Sequence, residues 1–240
     1  MDKIKILCVI PAYNEAGNLK PLTTHLIQNL KKITSSYRLF FIIQGNDKSK
    51  MEIRKLQKKY PKKIKADYFT RPLGIGMAYK TGFEKINKST THVLTMDADL
   101  NHDPKIIQSF FKNMKEKKSD IVVGSRFIEK GAFYDKRLWK RVISRCINLF
   151  LKVILDLPIS DATSGYRLIK SETISAIRKM LKEKGYPAYL EFILISHKSG
   201  FRISEIPIIY TPRVWGKSKM NKIRTFKDYF FFLPRIPFIF

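Results

Sequence analysis

The feature that most constrains the fold is an alternation. Short apolar runs recur between longer stretches of helical character through the first half of the chain. Ile4 to Ile10 is almost continuously apolar, as a strand buried on both faces must be; a half-exposed antiparallel strand would alternate apolar with polar. Comparable runs lie at Leu39 to Ile43, Ile64 to Phe69, Thr91 to Met96 and Asp120 to Gly124. Between them the pattern predicts a helix from Glu15 to about Ile33, capped by Asn14, and another around Met51 to Tyr60. A third begins near Gly76. A fourth starts at Asp103-Pro104, with the aspartate as N-cap and the proline in the first helical position. Strands separated by helices at this spacing need crossover connections. The expected fold class is therefore α/β, with a doubly wound, mostly parallel sheet flanked by helices.

The second half is more mixed. Leu138 to Leu155 reads as an amphipathic helix carrying Lys140, Arg141, Arg145 and Lys152. Thr163 to Ile169 and Ile203 to Ile209 read as strands, and Ser171 to Lys184 and Leu190 to Ser199 as helices. No repeat or low-complexity linker divides the chain. The economical organisation is one domain over residues 1–220 with a basic, aromatic appendage over 221–240.

Charge narrows the partners. The 240 residues carry a net charge of +27, spread almost evenly over both halves, so this is not a neutral domain with a basic tail. A 44% hydrophobic content excludes intrinsic disorder. The candidate partners are polyanions: nucleic acid, an anionic membrane or a phosphorylated substrate. Cys8 and Cys146 fit core packing in a reducing cytosol rather than a disulfide framework or a zinc site. No segment approaches the ~18 apolar residues of a spanning helix. The stretch from Asp228 to Phe240 is rich in phenylalanine but interrupted by Pro234, Arg235 and Pro237. It suits an amphipathic segment at a membrane interface, with Arg224 and Lys227 at headgroup level, or a segment packed on the domain.

Three constellations carry chemistry. Asp97-Ala98-Asp99 follows the fourth strand, and in an extended chain residues i and i+2 share a side. Two carboxylates would then be aimed together from the carboxyl edge of a parallel sheet, where such folds bind ligands. Carboxylates without His or Cys suit Mg²⁺ or Mn²⁺ held jointly with substrate phosphates, and Asn101 adds a neutral oxygen. Ala98 leaves room for a nucleotide to approach. His102 reads as a hydrogen-bonding or surface residue. Pro11-Ala12-Tyr13-Asn14-Glu15 places a ring and a carboxylate at the same edge, where they could stack on a base and accept hydrogen bonds from it; Glu15 also suits a helix N-terminus. The run from Arg71 to Gly76, with Gly74 and Gly76, could seat a phosphate before a helix or simply be a turn that needs glycines.

Together these residues resemble the inverting family-two glycosyltransferases of the GT-A fold. Val123-Gly124-Ser125-Arg126, Asp161-Ala162-Thr163-Ser164-Gly165-Tyr166-Arg167 and Arg213-Val214-Trp215-Gly216-Lys217-Ser218-Lys219 look like the dolichol- or polyprenyl-phosphate mannose synthase branch. The resemblance runs from about Ile4 to Met220. It implies that Pro11, Ala12, Tyr13, Glu15, Gln44 and Gly74 serve the nucleotide and that Asp97, Ala98, Asp99 and Asn101 organise the metal and diphosphate. Arg126, Lys140, Ser144, Arg213 and Lys219 would gather around the acceptor phosphate and donor diphosphate. Lys140 stands where the family usually has arginine, which keeps the charge and loses the bidentate fork. Gln44-Gly45-Asn46-Asp47 replaces the family's Asp-Asp-x-Ser segment. That leaves the base open, with GDP-mannose favoured and a UDP-sugar as the alternative.

The implied activity is metal-dependent inverting transfer of a hexose, with mannose favoured, from a nucleotide-sugar to a polyprenyl monophosphate at the cytoplasmic face of a membrane. The protein would be peripheral, with an anionic membrane surface as a partner, and a separate membrane subunit could present the lipid. A lipid phosphate is already a nucleophile at neutral pH and needs cationic positioning rather than a base. Between Arg126 and Lys152 there are eight basic residues against two acids, which provides that positioning. Glu191 is the main downstream candidate for a base, or it pairs with a nearby cation. A second reading is transfer to a hydroxyl of a saccharide or lipid. A third, of another class, is a basic membrane- or nucleic-acid-binding protein without catalysis, but no nucleic-acid-binding module is visible and nucleic acid is not expected as a partner.

Overall fold

The structure is a computed structural model that describes residues 4–134, 138–212, 215 and 222–238. The alternation becomes β1 (Ile6–Tyr13), α1 (Ala16–Leu30), β2 (Tyr37–Gln44), α2 (Ser49–Lys59), β3 (Ile64–Phe69), α3 (Ile75–Phe83) and β4 (His92–Thr95). A 3-10 turn over Pro104–Ile106 leads into α4 (Ile107–Glu116), with Asp103 as its N-cap accepting from the Lys105 N–H at 2.9 Å. Then come β5 (Ile121–Ser125), β6 (Ala132–Phe133), α5 (Leu138–Ile154), β7 (Arg167–Lys170), α6 (Ser171–Ile177), α7 (Ala188–Lys198), β8 (Ile203–Pro207), β9 (Ile209–Tyr210) and α8 (Lys222–Phe232).

Seven strands form one sheet in the order β3-β2-β1-β4-β7-β5-β8. All neighbours are parallel except β7, which runs antiparallel between β4 and β5. The expected mostly parallel α/β architecture is therefore present. In β1 the two-residue period assigns Cys8, Ile10 and Ala12 to one core, with Leu19, Phe41, Phe110 and Tyr166. Leu7 and Val9 face the other, with Ile42, Phe83 and Leu190. Both faces are buried, which is why the run carries no polar alternation. Full burial of a side chain such as Phe41 or Phe110 contributes roughly 2–3 kcal/mol.

Four local expectations are corrected. Asn14 does not cap α1; Glu15 holds that position, and Asn14 sits at φ 52° with its side chain turned to the next loop. The helix expected over Ser171 to Lys184 ends at Ile177, because residues 182–184 are drawn onto α7 and α3 by hydrogen bonds. Only Arg167 onward forms the strand expected from Thr163, since Asp161 and Thr163 are used to hold Arg126. The run from Ile203 to Ile209 divides at Ile208: β8 joins the main sheet, and β9 pairs with β6 in a separate two-stranded ribbon.

The segment after residue 221 docks and exposes at once. Phe232 is buried in the second core, with Tyr229, Leu233 and Ile236 packed beside it. Tyr229 donates to the Tyr186 carbonyl at 3.3 Å, and Arg235 pairs with Glu183. The opposite side presents Phe226, Phe230, Phe231 and Phe238 to solvent. On α5, Asn148 and Leu151 face the protein, while Leu138, Val142, Leu149, Phe150, Val153 and Ile154 are exposed. Among the described residues no helix is long and apolar enough to cross a membrane.

Candidate active site

The strand order reverses at β1, which has β2 on one side and β4 on the other. A crevice opens there beyond the carboxyl ends of the strands. Pairing of β1 with β4 stops at Val9–Thr95, whereas pairing with β2 continues to Tyr13–Gln44. Pro11 is tolerated in a central strand for that reason. The Asn14 N–H points to Gln44 on the β2 side; by the two-residue alternation, the N–H that Pro11 lacks would face β4, which has already diverged.

On the β2 side the loops are tied into a rim. Asn14 Oδ1 accepts from the N–H groups of Asn46 and Asp47 at 3.1 and 3.2 Å. Asp47 Oδ2 accepts from Ala16 N at 3.2 Å, and Ser49 Oγ from Glu15 N at 2.9 Å. Glu15 is buried and accepts from Asn18 Nδ2 at 2.6 Å. Gly45, at φ 94°, lies so close to Asn14 and the Tyr13 ring that a Cβ would fall 2.1 Å from Asn14 Oδ1. Tyr13 is half-buried at this rim, Pro11 and Ala12 are buried beneath it, and Gln44 is 4% exposed. The Trp215 ring, itself exposed, lies over Gly17 in the first turn of α1.

The glycine run before α3 serves packing. Gly74, at φ 86°, would place a Cβ 2.5 Å from the Lys184 carbonyl oxygen. That carbonyl takes the N–H groups of Gly76 and Met77, so these two helix N-terminal donors are not offered to a phosphate.

Asp97 and Asp99 lie beyond the end of β4, in a turn, so they are not aimed together by strand alternation as expected; different parts of the protein hold them. Asp97 Oδ1 accepts from the hydroxyls of Tyr79 on α3 and Tyr189 on α7, at 3.4 and 3.2 Å. Burial, with Asp97 nearby, keeps both phenols protonated by pushing their pKa values well above 10. The Tyr189 carbonyl accepts from Arg167, whose buried guanidinium also donates to the carbonyls of Ala162 and Ser164 and lies over the Tyr189 ring. Burial lowers the Arg167 pKa to about 10, which leaves it charged at neutral pH.

Asp99 is 4% exposed and accepts from Asn101 N at 3.2 Å and Asn101 Nδ2 at 2.8 Å. Leu100, at φ 62°, makes this fold-back possible, a left-handed conformation that costs about 1–3 kcal/mol for such a residue. Asn101 Nδ2 also donates to the Tyr210 hydroxyl on β9. Its Oδ1 is sealed in the protein with no hydrogen-bond partner. His102 is buried between Tyr166 and Tyr210, with ring centroids at 5.0 and 5.7 Å, and burial lowers its pKa to about 4. It is a packed neutral ring rather than a surface residue.

Arg126 follows β5 directly and joins the same cluster through Tyr210. Its Nε and Nη2 each reach Asp161 at 2.7 Å, and Nη2 reaches Thr163 Oγ1 at 2.9 Å. Phe127, Phe133 and Tyr210 surround the guanidinium at 5.1 to 5.7 Å. Burial alone would lower its pKa, but Asp161 outweighs that and raises it. Asn148 Nδ2 donates to Thr163 Oγ1 at 3.1 Å and to the Ser144 carbonyl at 3.0 Å, so α5 is joined to the Arg126 cluster. Arg213, Lys219 and the side chain of Lys140 lie outside the described residues.

Glu191 does not stand free as a base, and among the described residues it forms no ion pair. Its carboxylate accepts the N–H groups of Lys182 and Glu183 at 2.8 to 3.2 Å, and burial raises its pKa. Sequence reasoning also missed Tyr79, Tyr189, Arg167 and Tyr210. Each comes from an element distant in sequence and has no spacing that marks it; Arg167 alone falls inside a quoted motif.

The crevice lies at a sheet edge with Asp97 and Asp99 beyond β4, and comparison with known proteins gives it a context. The glycosyl transferase family 2 model matches residues 7–178. The chain belongs to that family. The polyprenol monophosphomannose synthase of Mycolicibacterium smegmatis is 26% identical over 220 residues, covering 90% of this chain and 81% of that protein. The undecaprenyl-phosphate mannosyltransferase of Micrococcus luteus is 26% identical over 220 residues, covering 91% and 88%. Among solved structures, glucosyl-3-phosphoglycerate synthase from Mycobacterium tuberculosis, in complex with Mn²⁺, UDP and phosphoglyceric acid, superposes with a TM-score of 0.65 at 13% identity, covering 93% of this chain and 74% of that one. At that identity the likeness is one of fold.

Proposed function

We propose that this glycosyltransferase moves a hexose, mannose favoured, from a nucleotide-sugar to a polyprenyl monophosphate, with inversion. The phosphate oxygen attacks the anomeric carbon, the bond to the nucleoside diphosphate breaks, and the diphosphate leaves. Two relatives named for mannosyl transfer to polyprenyl acceptors align over about nine-tenths of the chain at 26% identity, which supports the reading.

The observation that carries it is how three acids downstream of Asp99, two buried and one half-buried, are engaged. Asp161 is held by Arg126, Glu191 by backbone N–H groups of 182–183, and Glu205 by those of Ser160 and Asp161 at 2.8 and 3.0 Å. A hydroxyl acceptor needs a positioned base; none of these three is poised as one. A phosphate acceptor brings its own negative charge and asks for cations instead. Lys140, Arg213 and Lys219, with the hydroxyl of Ser144, are the groups proposed to position it. Arg126 is proposed to shape that site from behind while its charge is balanced by Asp161.

For the donor, Tyr13, Glu15, Gln44 and the Gly74 loop are proposed to hold the nucleoside over Pro11 and Ala12. Asp97, Asp99 and Asn101 are proposed as the oxygen ligands of Mg²⁺ or Mn²⁺; Asn101 Oδ1, buried without a hydrogen-bond partner, is an acceptor in want of one. Among the described residues no three His, Cys, Asp or Glu side chains cluster as a metal cage; the proposed ion would be shared with substrate phosphates. Such an ion would neutralise the departing diphosphate. Tyr79 and Tyr189 fix the orientation of Asp97, and Asn101 that of Asp99.

The exposed apolar side chains of α5 and α8 are proposed to meet the cytoplasmic face of an anionic membrane, where the lipid resides. A panel of GDP- and UDP-sugars with a short polyprenyl phosphate and Mn²⁺ or Mg²⁺ tests the function. The expected result is nucleoside diphosphate release with an acid-labile lipid-phosphate sugar. Sugar transferred to a hydroxyl acceptor in place of the phosphate would overturn it.

A further inference from the structure

Gln44 closes β2 in register with Tyr13, and its side chain is almost wholly buried. The two ends of a side-chain amide have nearly the same shape, so neighbours decide which is oxygen. Here one neighbour decides alone. The Leu73 backbone N–H lies 2.8 Å from Oε1 and can only donate, so the oxygen is committed to it. The Nε2 amide is therefore turned the other way. It makes no hydrogen bond to any described residue, and it is not among the polar atoms sealed in the interior without a partner. It therefore reaches the surface of the crevice.

The backbone around it offers nothing equivalent. Asn14 N is bonded to the Gln44 carbonyl, Glu15 N to Ser49 Oγ and Ala16 N to Asp47. Gly45 N is bonded to the Phe69 carbonyl, and the N–H groups of Asn46 and Asp47 to Asn14. Every backbone donor from 14 to 16 and from 45 to 47 is taken. Beside the Tyr13 ring, the Gln44 amide is a side-chain donor still open to this rim.

We infer that Gln44 reads the base of the nucleotide-sugar by donating, its Nε2–H meeting a carbonyl oxygen or an unprotonated ring nitrogen; this rests on the donor site proposed above. A carboxylate in this place could only accept, and would select an imino N–H such as uracil N3–H or guanine N1–H. The committed amide selects the opposite pattern: cytosine N3 or O2, uracil O4 or O2, guanine O6 or N7. Uracil and cytosine are the discriminating pair, because they have the same ring and reverse their donor and acceptor at positions 3 and 4.

Titration of CDP, UDP and GDP into the full chain with Mn²⁺, for wild type and Gln44→Glu, tests this. Glu keeps the oxygen that accepts from Leu73 and replaces the outward donor by an acceptor. Wild type is expected to bind CDP within about threefold of UDP, and the variant to shift the UDP-to-CDP ratio at least tenfold toward UDP, with GDP gaining on CDP in parallel. Gln44→Met, which keeps the length without a donor, should weaken both pyrimidine nucleotides at least fivefold while leaving Mn²⁺-pyrophosphate binding unchanged, and serves if the Glu variant does not fold. A UDP-to-CDP ratio above ten in wild type, or one that Gln44→Glu does not move, would overturn the inference while leaving the donor site standing. Failure of all three nucleotides to bind wild type would overturn the donor site and this inference with it.

Discussion

Arg126 and Asp161 face each other as a fork: two nitrogens of the guanidinium meet two oxygens of the carboxylate, each at 2.7 Å. Asp161 is fully buried and the Arg126 side chain is 12% exposed. Such a pair sets geometry more than it adds net stability, since desolvation offsets much of the attraction. Removing one partner is another matter, because the survivor is left charged and buried. Asp161→Ala should lower unfolding free energy by about 3–5 kcal/mol, measured by denaturant unfolding. Arg126→Lys should fold better than Asp161→Ala yet lose acceptor use, because a single ammonium cannot hold both Asp161 oxygens and Thr163. A stable Asp161→Ala protein with normal kinetics would contradict the role given to this pair.

Asp99→Ala should remove most turnover, on the order of a hundredfold or more, while the protein stays folded. Tyr79→Phe with Tyr189→Phe should be milder. Each change deletes one hydrogen bond from a phenol to the Asp97 carboxylate, about 1 kcal/mol each, so the double variant should bind donor with Mn²⁺ roughly thirtyfold more weakly. Calorimetric titration of the nucleoside diphosphate with Mn²⁺ separates the two cases, and near-normal transfer by Asp99→Ala would refute the metal assignment.

The contrast between those residues shows what is legible in a sequence. β1, β2, β4 and β5 can be read from apolar runs because burial on both faces writes itself into consecutive residues. Asp103-Pro104 can be read as a helix start because the capping chemistry is local. The carboxylates after β4 are visible as a motif, but the reason for their placement is not: it lies in Leu100 entering the left-handed region and in phenols arriving from α3 and α7. The division of the run from Ile203 to Ile209 between two sheets depends on what pairs with each half, and no periodicity encodes that. The orientation of Gln44 is likewise set by a backbone N–H 29 residues away.

His92 gives the fold a pH dependence. It is packed against Phe111 with centroids 5.1 Å apart, and burial first, then the charge of Lys170, lowers its pKa to about 4. In the unfolded chain it titrates near 6.5. Its neutral form is thus favoured by folding. The stability it contributes is fully present above pH 6.5 and is lost as pH falls toward 4. Allowing for its partial exposure, the loss should be on the order of 1–2 kcal/mol. Urea unfolding at pH 7 and pH 4.5 should show it, and His92→Gln should flatten that part of the profile. An equal slope in the variant would assign the dependence elsewhere.

The phenylalanines of α8 divide between two tasks, and substitution can separate them. Phe232 is buried in the core, whereas Phe226, Phe230 and Phe231 are each more than 60% exposed. Phe232→Ala should cost about 3–5 kcal/mol through the cavity it leaves. Phe226→Ser, Phe230→Ser and Phe231→Ser together should leave the unfolding free energy within about 1 kcal/mol, since little buried area is lost. Their effect should appear on membranes. Each exposed ring that enters an interface contributes apolar burial, and Arg224 and Lys227 on the same helix add attraction to anionic headgroups. Flotation with vesicles containing anionic lipid should recover wild type and lose the triple variant, and raising salt should weaken wild-type binding without abolishing it. If the triple variant floats as well as wild type, α8 is not the membrane contact, and the exposed apolar side chains of α5 must carry it alone.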